Sequence, residues 1–141
     1  MKKKIISYAI IAIVLLALII VCVWYYSPKT FLKGVNAEDI ASISVFNGST
    51  GGRFTVENVG DIRYIVENLQ STPMKRDNIS SNYDGFHFKL TFKDANGSVI
   101  DSFIINSDTT VRDDPFFYRS DGGLCFAYLQ ELESNYTSNE E

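Results

Sequence analysis

Side chains able to move protons, attack an electrophile or hold a metal are few in this chain. It has one histidine, His87, and two cysteines, Cys22 and Cys125. A single imidazole excludes any site built on two, and it leaves Cys125 with one candidate base. His87 alternates with Phe86 and Phe88 on what reads as the polar face of a strand, so its expected place is the surface. Cys125 falls on the apolar stripe of a predicted C-terminal helix, where a thiol behaves as a small hydrophobe. Among the carboxylates, Asp113 and Asp114 form the densest pair, and Asp94 and Asp101 flank a hairpin. No D-x-[DN]-x-[DN]-G run with a distal glutamate is present to hold calcium. An acid-base hydrolase using Asp84, His87, Asp113 and Asp114 would require those groups to share a cleft at a set separation, which spacing along a chain does not reveal. The glycine-bearing segment Asn47 to Gly52 lacks the lysine and following helix of a phosphate-binding loop, and reads as a hairpin turn. Nucleophile-elbow and zinc signatures are likewise absent from the sequence. No catalytic, cofactor-binding or metal-ligating residue is therefore assigned, and the reading leans away from an enzyme.

The elements that would position these residues are clearer. Ala37 to Ile40 suits a helical turn, and Ile43 and Val45 alternate with Ser42 and Ser44 as in a half-buried strand. After the Asn47 to Gly52 turn, Phe54 and Val56 repeat that pattern. Asn58 followed by Asp61 is a helix start, and Val59, Ile62, Ile65, Val66 and Leu69 recur at helical spacing to about Gln70. Arg63 and Glu67 sit on the polar side of that helix. Thr72 to Ile79 is predicted as an edge strand, because Pro73 removes a ladder donor. Phe86, Phe88, Leu90 and Phe92 alternate with His87, Lys89, Thr91 and Lys93, the strongest strand signal in the chain. Asp94 to Gly97 supplies a hairpin into Ser98 to Asn106, whose apolar residues on both sides predict a central strand. Two short strands, Thr109 to Arg112 and Phe116 to Arg119, flank Asp113-Asp114-Pro115, and Leu124 to Tyr136 reads as a helix. In the aromatic strand, Phe117 points away from Phe116 and Tyr118; Phe117 and Tyr118 mark a candidate partner-facing patch. Strands interrupted by two helices without βαβ alternation predict an α+β two-layer domain. Its antiparallel sheet would have about five to seven strands, with both helices on one face.

Ahead of this domain, Ile5 to Tyr26 is an unbroken apolar run introduced by Lys2, Lys3 and Lys4. At ~1.5 Å per residue it is long enough as a helix to span a ~30 Å hydrocarbon core. It exceeds the ~7–15 residues of a signal-peptide core. Val21 before Cys22 departs from the small residue that lipid attachment requires, and cleavage after Ala37 would lie far beyond the end of the run. The expected anchor includes Ile5, Leu15, Leu16 and Ile20, with Trp24, Tyr25 and Tyr26 as an interfacial belt. Small residues Ser7, Ala9, Ala12 and Ala17 would also allow close packing against another membrane helix. The expected organisation is thus a cytoplasmic basic tail (1–4), a single-pass transmembrane helix (5–26), a spacer (27–36), an extracytoplasmic domain (37–136) and a flexible tail (137–141).

Charge divides along the same line. From Val35 onward 17 acidic residues face 8 of the 13 basic ones, leaving −9, and that balance disfavours nucleic acid as a partner. Cys22 lies inside the apolar run and Cys125 in the predicted C-terminal helix, so the two are not expected to meet in a disulfide and the core alone must hold the domain. Asn47, Asn78, Asn96 and Asn135 each begin a sequon, relevant only where glycosylation machinery exists.

The succession I-x-S-I-x-V, N-V-x-D-I-x-x-I-V-x-x-L, F-x-F-x-L-x-F-x-D-x-N-G, short aromatic strand and final helix resembles small membrane-anchored extracytoplasmic proteins of Firmicutes carrying a domain of unknown function. The resemblance covers Ile40 to about Leu132, rests on apolar positions and turns, and implies architecture without implying an activity. Together these features lead us to expect a non-catalytic domain at the outer face of a bacterial membrane, binding an envelope protein or small ligand. A small hydrolase and an accessory subunit of a neighbouring membrane protein are the alternatives.

Overall fold

The computed structural model describes residues 2–138; the remainder of the expected flexible tail lies outside them. Helix α1 (Lys2–Tyr26) is followed by a 3₁₀ turn (Ala37–Asp39), β1 (Ser42–Asn47), β2 (Arg53–Val56), α2 (Val59–Ser71) and β3 (Lys75–Ile79). β4 (Phe88–Lys93), β5 (Val99–Ile105), β6 (Thr110–Asp113), β7 (Phe116–Arg119) and α3 (Phe126–Ser138) complete the chain. The seven strands form one antiparallel sheet in the order β2-β1-β4-β5-β6-β7-β3. The α+β class is as expected, with β5 in the central place and β3 at an edge.

Register decides what each face carries. Ile43 stands opposite both Val56 and Phe92, Leu90 opposite Phe103, and Val111 opposite Tyr118, so one face is continuously apolar. Against it pack Ile62, Ile65, Val66 and Leu69 of α2 with Leu129 and Leu132 of α3, all in one buried cluster. The Asn58 side chain accepts from Gly60 N and Asp61 N at 2.8 and 3.2 Å, fixing where α2 begins. α2 then carries the chain from β2 at one edge to β3 at the other, which the sheet order requires. The opposite face carries the row Arg53, Phe46, Lys89, Ile104, Arg112 and Phe117, and among the described residues no helix packs on it.

Two segments depart from the expectations. The presumed spacer is part of the domain: Phe31 and Leu32 are 1% and 4% exposed, and Phe31 packs on Phe103 and Tyr118. Lys29 and Met74 exchange two backbone hydrogen bonds of 2.7 and 2.8 Å, extending the β3 edge, and Gln70 Nε2 donates to the Leu32 and Val35 carbonyls. Hydrophobic burial outweighs the extended tendency that Pro28 lends the segment. The second departure is Phe86, expected to point into the core from within a strand. It lies before β4 and packs on Phe46, because the His87 N–H donates to Asn106 Oδ1 and the Gly48 N–H donates to the His87 carbonyl.

α1 is exposed along its described side chains and is the one described helix long and apolar enough to cross a membrane.

Candidate functional site

Between β3 and β4 the chain must return across β7, β6 and β5, and the segment 80–87 does so. Its latter half forms one wall of a cleft of about 640 Å³, with Asp77, Asn78, Asn106, Thr110, Phe117 and Arg119 from the strand ends and uncovered face opposite. The Asn47 to Gly52 turn closes a third side through Gly48 and Ser49.

Each wall is held by a local device. Gly48 is required at its position, since a Cβ there would stand 2.7 Å from the Phe86 ring and carbonyl oxygen. Asn47, 1% exposed, donates from Nδ2 to both oxygens of Glu133 and accepts from Ser49 N, so α3 fixes the turn. Arg112 Nη1 donates to the Tyr83 carbonyl at 2.5 Å, and Tyr83 meets Phe117 edge to face at 5.3 Å. Arg119 pairs with Asp77 at 3.1 Å inside the cleft. The site therefore offers aromatic faces, amides, one ion pair, the Asp84 carboxylate and the His87 imidazole, a mixture suited to orienting a polar ligand.

His87 is more than a solvated strand residue. Its ring packs against Phe88 and Phe126 at 4.7 and 4.8 Å, and Ser49 Oγ stands 3.5 Å from Nδ1. None of the ion pairs among the described residues involves His87, so no carboxylate orients it as a base. Asp84 shares its cleft, whereas Asp113 and Asp114 do not line it. Asp113 pairs with Lys29 at 2.5 Å. Asp114 accepts from Arg112 Nε at 2.7 Å and Ser80 Oγ at 2.6 Å, and those hydrogen bonds lower its pKa below the ordinary carboxylate value. The four residues considered for hydrolysis are thus not brought together.

Of the candidate patch, Phe117 lines the cleft, whereas Tyr118 is corrected: it is 5% exposed and its ring belongs to the core. Cys125 is buried one residue before α3, its carbonyl accepting from Leu129 N, and burial pushes its thiol up to about 12. The cleft was not readable from spacing because its walls come from five separate stretches of chain. The Ser49 contact had one faint signal, a serine in the loop that ends β1, the strand that pairs with β4. No family model, curated protein or solved structure matches this chain.

Proposed function

We propose that the chain is a membrane-tethered, extracytoplasmic binding domain. In this reading α1 is a retained anchor, Lys2 to Lys4 keep the N-terminus in the cytoplasm, and the cleft beside segment 83–87 receives a small polar ligand or an extended segment of an envelope protein. The observation that carries it is the convergence of Tyr83, Phe86, Phe117, Asn78, Asn106 and the Asp77–Arg119 pair on one concavity of the uncovered sheet face. The same reading keeps the resemblance to small anchored Firmicutes proteins as its working placement.

A hydrolase has one observation in its favour, the approach of Ser49 to His87. Without an orienting carboxylate, that pair is better suited to hydrogen bonding a ligand than to activating a nucleophile.

Because His87 is the only histidine, its ring resonances report on the cleft without any substitution. Titration of the protein in micelles with fragments bearing amide, carboxylate or sugar hydroxyl groups is expected to shift them, and Phe117→Ala is expected to weaken that response. Silence of His87 towards all these classes would sink the binding reading. Covalent labelling of Ser49 by a fluorophosphonate would replace it with the hydrolase.

A further inference from the structure

A second site lies where α1 meets the sheet. Arg76 stands opposite Tyr118 on the helix-covered side of the β3 edge, and its guanidinium is ringed by Phe116, Tyr25 and Trp24 at 4.3, 4.7 and 4.9 Å. Its Nε and Nη1 are buried with no hydrogen-bond partner, which is costly for a charged group whose donors bind oxygen strongly. Arg76 also lines a cavity of about 470 Å³ with Lys29, Lys33, Ser27, Thr30 and Trp24. Lys29 is committed to Asp113, while Lys33 is exposed and makes no ion pair among the described residues. Two cations thus lack a counter-charge, in a chain whose residues from Val35 onward carry −9.

We infer that this cavity binds the phosphodiester of an anionic phospholipid headgroup. The inference rests on α1 lying in a membrane as proposed above. Trp24, Tyr25 and Tyr26 end the apolar run, and such rings settle at headgroup depth, which places the cavity at the level of lipid phosphates. A phosphate oxygen supplies the acceptor that the guanidinium lacks, Lys33 adds a second positive contact, and Thr30 lines the same cavity, while the Ser27 hydroxyl donates to the Val23 carbonyl at 2.6 Å. For the ligand to reach the buried nitrogens the Trp24 ring, exposed and 4.9 Å from the guanidinium, has to turn aside.

Trp24 is the only tryptophan, so its fluorescence reads this site alone. Lys2 to Lys4 lie at the other end of α1, ~30 Å away. The full chain is reconstituted in phosphatidylcholine vesicles, and quenching of Trp24 by brominated phosphatidylcholine is compared with quenching by brominated phosphatidylglycerol. The expected preference for the anionic lipid is about fivefold, the scale of one basic side chain at a charged surface. It should fall to near unity in Arg76→Gln and decline in Lys33→Gln, an exposed position where folding is not at issue. No preference in the native protein, or a preference unchanged in both variants, overturns the site while leaving the anchor standing. Absence of quenching by either lipid overturns the anchor and the site together. An equal Trp24 response to millimolar inorganic phosphate in phosphatidylcholine vesicles would assign the cavity to a soluble phosphate and end the lipid proposal.

Discussion

Tyr128 joins the two helices through a single proton. Its hydroxyl donates to Asp61 Oδ1 at 2.6 Å, and Asp61 lies in the first turn of α2, where a carboxylate is favoured by the helix dipole. The hydrogen bond to Asp61, followed by burial, raises the phenol from its ordinary value of 10.0 to about 12. A folded-state pKa above the unfolded one means that the stabilisation is complete below the unfolded value and is lost as pH climbs from 10.0 towards about 12. Tyr128→Phe should therefore cost about 1 kcal/mol at neutral pH, the solvent-facing side of the ring keeping the value low. Urea denaturation of both forms across that alkaline window should show the difference closing; a constant difference would place the effect in packing. At this scale the sequence was informative about single-residue devices with local partners, such as the Asn58 cap and the inward parity of Phe88 and Leu90. It was silent on Tyr128 with Asp61 and on Arg76 with Trp24, whose partners are 67 and 52 positions away.

The segment from Ser27 to Asn36 looked like a spacer because Pro28, Lys29, Lys33 and Gly34 give it a polar, broken appearance. The contrary signal was the Phe31-Leu32 pair, two large apolar residues that a solvated linker has no use for. Both residues are core. A fragment beginning at Ala37 should consequently be much less stable than one beginning at Ser27, and Phe31→Ala in the longer fragment should cost about 3–5 kcal/mol. Against a total stability of roughly 5–15 kcal/mol, that loss leaves little of the native state. Thermal unfolding followed by circular dichroism measures it, and equal midpoints for the two fragments would refute the structural role of the segment. Phe86 shows the reverse error: perfect alternation drew it into β4, but its neighbours' backbone bonds to Gly48 and Asn106 turn the chain before the strand begins.

For the molecule as a whole, fold class and strand count were legible while strand order was not. Periodicity records which residues face inward; it does not record that β3 pairs with β7 instead of β4, a choice made by where α2 can carry the chain. The cleft follows from that order, since only a chain returning from β3 to β4 must cross three strands. One apolar cluster joins the sheet, both helices and the Phe31 segment, so the domain should unfold in a single transition. Cys125, buried with its thiol raised to about 12, reports on that transition. In urea its alkylation should track the loss of circular dichroism, and reactivity that precedes it would reveal independent opening of α3. The Lys29–Met74 bridge has a mechanical meaning as well. It clamps one margin of the sheet to the end of α1, and six strand spacings away β2 lies ~30 Å off. Were α1 and the sheet to move as one body, a tilt of α1 by ~10° would swing the β2 margin through about 5 Å. With α1 in a membrane, bilayer thickness and lateral tension would steer the cleft without touching it.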